Sequence, residues 1–338
     1  MDILVTGANG LLGRQVVTML QERGDTVRAF VLPQEDAGWL EQRRVAIFRG
    51  DLRSRASLVE PMRGVDGLLN LAGMMGQWNS MRDYYDVNVK GLEDISREAL
   101  KAGVRRMVHI SSWRVYGNAV GEPCREDMPF RPLDEPYSIT KVQGEQVLQR
   151  LIAEEGLPVS IIRPGTFYGP GDRLHFGQLA DRLRSGMSLV IGSGHNPVPF
   201  VYVSDVAEGV ILALDNPRAI GQAYNITCDR EPTQEELIRA VAEEVGAKYP
   251  TLHVPYHLMY AAAYAAERAT QLPGYRWHPL VTRMGVTVFG ADNRHSIDKA
   301  HAELGFSPRI SLREGVRRSG EWYMGQLKGI ARTPVAVA

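Results

Sequence analysis

The stretch Asp2-Ile-Leu-Val-Thr6-Gly7-Ala-Asn9-Gly10-Leu11-Leu12-Gly13 decides the fold. Its apolar start predicts a strand, and the periodic apolar positions of Leu11–Arg23 predict a helix. Three glycines separate the two. A turn that receives a dinucleotide needs one glycine where the chain reverses and a second where backbone must approach the pyrophosphate. A third lets helix pack closely on strand, and the helix N-terminus then offers unpaired N–H groups to the phosphates. Gly7, Gly10 and Gly13 meet these needs in order, with strand before and helix after.

Outward from this turn, short β-branched runs alternate with helical periodicity, the pattern of βαβ units and a parallel sheet. The predicted strands are Asp2–Thr6, Thr26–Val31, Ala46–Phe48, Gly67–Leu71, Arg106–Ser111 and Val159–Arg163. Predicted helices lie at Leu11–Arg23, Ser54–Met62, Met81–Ala102 and Glu135–Glu155. The strands are continuous apolar runs, as expected where helices cover both sheet faces. Beyond Arg163 glycines and prolines break the rhythm at Gly165–Asp172 and Gly192–Pro199. Pro199–Asn216 predicts a strand and then a helix. Thr233-Gln-Glu-Glu236 is a capping box that opens a helix, with Gly246 to close it. Val281–Trp322 predicts short strands mixed with helix, and the tail Ala331–Ala338 is expected to fray.

Composition narrows the class. Lys plus Arg balances Asp plus Glu at 39 each, so no bulk field draws the chain to nucleic acid or an anionic membrane. Two cysteines, Cys124 and Cys228, make no disulfide framework. The eight histidines lack ligand spacing, so no metal is expected. Met1 leads straight into the first strand, without a charged signal-like region. Leu258–Ala266 is the longest apolar stretch, far short of the roughly 20 residues a membrane span needs, and it predicts a buried helix. The expected location is the cytoplasm.

The chemistry centres on Tyr137-Ser-Ile-Thr-Lys141, which opens a helix behind Pro136. Tyr137 and Lys141 share one helical face. An ammonium beside a phenol favours phenolate, and the phenol can then exchange a proton with a substrate oxygen while hydride moves at a nicotinamide. Upstream, Ser111-Ser112-Trp113-Arg114-Val-Tyr116-Gly117 follows a predicted strand.

These runs resemble the extended short-chain dehydrogenase/reductases, the NAD-dependent epimerase/dehydratase family. The resemblance extends from Asp2 to Trp322. The glycine spacing G-x-x-G-x-x-G is of that superfamily's kind. The resemblance implies that Ser112 hydrogen-bonds the reacting oxygen, that Tyr137 transfers the proton, and that Lys141 partners it and holds the nicotinamide ribose. It implies dinucleotide contacts from Gly7, Asn9, Gly10, Leu11, Leu12, Gly13, Asp51, Leu52, Leu71, Ala72, Gly73 and Pro164. Asn88 resembles the helix-borne asparagine of the family, though it is equally a helix-surface position. Arg163-Pro164 with Tyr168-Gly169-Pro170-Gly171 resembles the turn beside the nicotinamide.

The resemblance implies an α/β fold, a doubly wound parallel Rossmann sheet with a smaller discontinuous α/β lobe. The dinucleotide domain would comprise residues 1–165 and 197–228, and the substrate lobe 166–196 and 229–330. A homodimer is expected on the same ground. Strand two ends Phe30-Val31-Leu32-Pro33, followed by Glu35 and Asp36 with no cation before Arg43. That leans to NAD, with NADP left open. Trp113 and Arg114 stand where sugar dehydratases carry acids, which argues against elimination of water. Gly165, Thr166, Phe167 and Pro199 stand where epimerases carry nucleotide anchors. Met74, Met75, Trp78, Trp113, Thr166 and Phe167 are candidate substrate contacts that suit an apolar molecule. The expected reaction is reversible hydride transfer between nicotinamide and a secondary alcohol or ketone of a small, apolar substrate. Nucleotide-sugar 4-epimerisation with tightly bound NAD is the alternative. A dinucleotide-sensing regulator without turnover is a third, lesser one. The closest subgroup in sequence character is that of the 3β-hydroxysteroid dehydrogenase-like and dihydroflavonol reductase-like enzymes.

Overall fold

The computed structural model describes residues 1–75, 80–118, 121–270 and 281–332. The strands in chain order are β1 (Asp2–Thr6), β2 (Thr26–Val31), β3 (Ala46–Arg49), β4 (Gly67–Asn70), β5 (Arg106–Ile110) and β6 (Val159–Pro164). They continue with β7 (Thr166–Tyr168), β8 (Val190–Ile191), β9 (Phe200–Tyr202), β10 (Ala223–Ile226) and β11 (His253–Val254). Seven of them form one parallel sheet in the order β10-β6-β5-β4-β1-β2-β3. The chain winds one way from β1 through β3 and the other way from β4, so a switch point opens between β1 and β4, where such sheets bind ligands. The doubly wound sheet expected from the sequence is present. Two-stranded pairs β7–β9 and β8–β11 lie outside it.

Each sheet face carries its own core. On one side Val16, Val17 and Leu20 of helix Leu11–Glu22 pack with Val206, Ala207 and Val210 of helix Val203–Asp215. On the other, Leu92, Ile95 and Ala99 of helix Leu92–Lys101 pack with Leu148 and Leu151 of helix Pro136–Glu155. Each fully buried Val, Leu or Ile contributes about 1.5–3 kcal/mol, so these stripes anchor the helices that carry the site.

Four expectations need correction. Ser54–Met62 holds only the 3-10 turn Arg55–Leu58, because Pro61 forbids a helical hydrogen bond and disfavours helix at Glu60. Met81–Ala102 is interrupted by a π-helical turn, Asp86–Gly91, of the kind that often falls at functional sites. Val281–Trp322 contributes no strand of its own. Arg283–Gly290, Asp298–Leu304 and the start of Leu312–Arg332 are helical, and only an isolated bridge joins Cys124 to His295. The β-branched Val286 and Thr287 are buried as parts of a helix turn, where packing overrides propensity. Finally, Leu258–Ala266 lies in a helix, Tyr256–Ala269, in which Ala263 alone is buried. Leu258 is 57% and Tyr264 42% exposed; a run of alanines needs no deep burial to be helical. Among the described residues no helix is long and apolar enough to cross a membrane.

Candidate active site

The carboxyl ends of the central strands border one cleft. Gly7 turns the chain at φ +65°, and a Cβ there would lie 3.0 Å from the Ala72 nitrogen. Only glycine combines that left-handed backbone with so close an approach. Gly10 N donates to the Gly7 carbonyl at 3.0 Å. A Cβ on Gly13 would stand 2.1 Å from the Gly7 carbonyl oxygen, so the helix begins flush against the turn. No side chain caps that helix, and no acid lies in its first turn. Its leading N–H groups are therefore free for an anion, and the cradle fits a dinucleotide pyrophosphate.

Gly7, Gly10, Leu11, Leu12 and Gly13 border the cleft, as do Leu52, Leu71, Ala72, Gly73 and Pro164. Asn9 and Asp51 do not. Asn9 Nδ2 donates to the Asp36 carbonyl at 2.5 Å, and its Oδ1 accepts from Arg14 Nη2 at 2.7 Å. The Asp51 carboxylate pairs with Arg53 at 2.6 Å, whose hydrogen bonds hold it below its ordinary pKa. Glu35 borders the cleft at the end of β2, where its Oε2 accepts from Leu32 N at 3.2 Å. The nearby cation Arg49 directs Nη1 at the carbonyls of Pro33 and Glu35, 3.0 and 2.9 Å away. A carboxylate thus faces this end, unfavourable to an extra phosphate.

Ser112 follows β5 and caps the 3-10 turn Trp113–Tyr116, its Oγ accepting from Arg114 N at 3.3 Å. Glu135 caps helix Pro136–Glu155, accepting from Ser138 N at 3.1 Å. Tyr137 and Lys141, one turn apart on this helix, both border the cleft with Ser112. Lys141 Nζ donates to the Ile110 carbonyl at 2.9 Å and lies 5.8 Å from the Tyr137 ring centroid. Burial pulls the Lys141 ammonium down to about 8, although the Glu145 charge acts upward. Gly73 makes room for this arrangement: a Cβ there would meet Lys141 Nζ at 3.2 Å and Asn88 Oδ1 at 3.3 Å.

Burial pushes the Tyr137 phenol above its ordinary pKa; the Ser112 hydrogen bond and the Arg114 charge act downward, and Glu135 acts upward. The Arg114 charge thus favours phenolate, and Lys141, to which the helical spacing pointed, lies 5.8 Å from the ring centroid. Lys141 is tied to a backbone carbonyl beside the ring.

Asn88 is buried, not a surface residue, because the π turn directs it inward. Its Oδ1 accepts from Met74 N at 2.8 Å and its Nδ2 donates to Thr140 Oγ1 at 3.2 Å. It does not border the cleft, nor does Met74. Met75, Trp113, Thr166 and Phe167 do, and Trp113 Nε1 donates to Thr166 Oγ1 at 3.3 Å. Trp78 lies outside the described residues. Leu189, Ile191, Met259, Val286 and Phe289 also border the cleft, and its volume is about 830 Å³.

Motif spacing did not point to the brace behind the site. Arg163 Nη2 lies 2.6 Å from Glu145 Oε2, and Ser111 Oγ also donates to Glu145. Arg163 Nη1 donates to Tyr116 Oη at 2.7 Å, which donates to Asn225 Oδ1 at 2.7 Å. Glu145 follows Lys141 by four residues, a signal that helical periodicity could have revealed.

The NAD dependent epimerase/dehydratase family model matches residues 3–227, and the chain belongs to that family. It is similar to the 3beta-hydroxysteroid-dehydrogenase/decarboxylase isoform 1 of Arabidopsis thaliana, 31% identical over 94% of this chain and 78% of that one. A 2-alkyl-3-oxoalkanoate reductase of Stenotrophomonas maltophilia is 29% identical over 94% of this chain and 98% of the relative. Among solved structures, MoeE5 in complex with UDP-glucose and NAD is 27% identical with a TM-score of 0.75, covering 97% of this chain and all of that one. The chain is an NAD-dependent oxidoreductase of the extended short-chain type, and NAD is the dinucleotide its cleft fits.

Proposed function

We propose that Ser112, Tyr137 and Lys141 interconvert a secondary alcohol and a ketone on a substrate with a large apolar body. What supports this reading above all is one cleft that runs from the glycine turn, past these three side chains, into an apolar chamber. The residues bordering the glycine turn and the ends of β4 and β6 would hold NAD, and the bound nicotinamide supplies hydride acceptance and return. Tyr137 Oη takes the carbinol proton during oxidation and returns it during reduction. The Ser112 hydroxyl donates to the reacting oxygen, and Lys141 keeps a positive charge beside the ring. Residues 166–196 and 229–330 act as the substrate lobe over the dinucleotide domain 1–165 and 197–228. The working form in this reading is a cytoplasmic homodimer. The names of the two relatives, a 3beta-hydroxysteroid-dehydrogenase/decarboxylase and a 2-alkyl-3-oxoalkanoate reductase, agree with a chamber that takes a steroid or alkyl body.

Epimerisation of a nucleotide sugar would use the same triad without net redox change. Similarity to MoeE5 and the presence of Arg173 and Arg182 along the cleft favour it, since a diphosphate needs cations. Mass spectrometry of NAD released from gently denatured protein separates the two. Exchangeable NAD, with NADH accumulating when 2-tridecanol is added, supports the dehydrogenase. Stoichiometric non-exchanging NAD and turnover of UDP-glucose without NADH release would replace it with the epimerase.

A further inference from the structure

The cations that border the cleft are unequally engaged. Arg114 is held by Glu135, Lys141 Nζ donates to the Ile110 carbonyl, and Arg182 has a partner of its own. Arg173 borders the same cleft, is exposed, and has no hydrogen-bond, ion-pair or ring partner among the described residues. A guanidinium left open along a ligand cleft raises the local potential for an anion. Its backbone, by contrast, is firmly set. Arg173 opens the π-helical turn Arg173–Gly177, which Asp172 caps. Asp172 Oδ1 accepts from Leu174 N and His175 N at 3.0 and 2.9 Å, and Oδ2 accepts from Phe176 N at 2.9 Å. That carboxylate is thus spent on backbone donors. Phe176 is buried, its ring stacked on Tyr168 of β7 with centroids 6.4 Å apart.

This segment lies against the helix that follows the glycine turn. A Cβ on Gly171 would stand 3.6 Å from Leu11 Cδ1, and Leu11 is the first residue of helix Leu11–Glu22. Arg173 follows Gly171 by two residues, at most about 7 Å of chain, so its long side chain starts close to that helix end. A helix N-terminus offers roughly half a positive charge, whereas a dinucleotide bears a negative charge on each phosphate. Arg14, in the first turn of the helix, is directed to Asn9 and does not border the cleft. The glycine turn therefore leaves most of the phosphate charge unbalanced. We propose that Arg173 supplies the missing cation: it closes on the NAD pyrophosphate from the segment after β7 and sets how tightly the cofactor is retained. The fork of a guanidinium matches paired phosphate oxygens. The inference rests on the NAD site and holds whichever substrate is turned over. It also takes Arg173 away from the diphosphate of a nucleotide sugar, since Leu11 marks the dinucleotide end of the cleft.

The test is calorimetric titration of wild type, Arg173→Gln and Arg173→Lys with NAD at low and high salt, and with UDP-glucose separately. Both variants should melt close to wild type without NAD, because the side chain is exposed and unpaired. Arg173→Gln should bind NAD about tenfold more weakly. Its NAD affinity should also decline less steeply with salt, because one charge has left the contact. Any UDP-glucose binding should stay as in wild type, and Arg173→Lys should recover part of the NAD loss. An Arg173→Gln variant that binds NAD within about twofold of wild type overturns the proposal. So does a loss that keeps the wild-type salt dependence, since the lost contact would then not be a charge. Weaker UDP-glucose binding with unchanged NAD affinity overturns it as well and gives Arg173 to a substrate diphosphate.

Discussion

The Arg163 guanidinium grips the Glu145 carboxylate with Nε and Nη2, at 2.6 to 3.1 Å, and the two side chains are 3% and 0% exposed. This pair joins β6 to the helix that carries Tyr137 and Lys141. Glu145 also takes the Ser111 hydroxyl, and Arg163 holds Tyr116 against Asn225. Strands β6 and β10, the helix Pro136–Glu155 and the turn Trp113–Tyr116 are thereby fixed to one another.

Removal of one partner strands a buried charge. Glu145→Gln should destabilise the fold by about 3–5 kcal/mol, read as a lower urea midpoint. Glu145→Met combined with Arg163→Met should recover much of that loss, since two apolar side chains leave no charge behind. Equal stability of wild type and Glu145→Gln would show that the pair contributes no net stability.

Lys141 is a second buried charge, with the opposite consequence. Its folded value, about 8, lies below the ordinary 10.5. The protonated form therefore opposes folding in full below about pH 8, and the penalty fades as pH rises towards 10.5. Lys141→Met should abolish turnover yet raise stability at pH 7 by about 2 kcal/mol, after loss of the hydrogen bond to Ile110 is deducted. The gain should vanish at about pH 9.5 and turn into a small loss above it, once the penalty falls below the value of the lost hydrogen bond. Thermal melts across this range check it, and a lower melting point at pH 7 contradicts it.

The glycine turn separates folding from binding. A methyl at Gly13 would press against the Gly7 carbonyl at 2.1 Å and Ala8 at 2.7 Å. Gly13→Ala should destabilise the domain by about 3 kcal/mol. At Gly10 the nearest contact would be the Gly7 carbonyl oxygen at 3.2 Å. Gly10→Ala should melt close to wild type while binding NAD about tenfold more weakly, because the methyl stands where the pyrophosphate must approach. Calorimetry with NAD and melting curves distinguish the two variants.

The sheet was legible because β1 to β6 are apolar runs separated by turns at regular intervals, and each was found within a residue or so. Ser112, Tyr137 and Lys141 stood out because each sits at a strand end or helix start, and the fold brings all three to one cleft. Less visible were features that depend on tertiary placement. The π turn that turns Asn88 inward leaves no mark on a periodicity of 3.6 residues. Arg114 read only as the lack of an acid, since its buried pairing with Glu135 beside the Trp113 ring exists only in the fold. Apolarity alone made Leu258–Ala266 look buried, while its exposure in the fold is a matter of packing.

The central claim is that Tyr137 carries the proton while hydride moves between NAD and a secondary alcohol. The most direct measurement follows NADH formation on mixing NAD-loaded protein with 2-tridecanol and excess NAD, in wild type and in Tyr137→Phe. The account predicts NADH well beyond one equivalent per wild-type subunit. It also predicts a loss of about a thousandfold in Tyr137→Phe, with NAD affinity within threefold of wild type by calorimetry. A Tyr137→Phe variant that turns over at the wild-type rate, or wild-type NADH that never exceeds the bound equivalent, would contradict it.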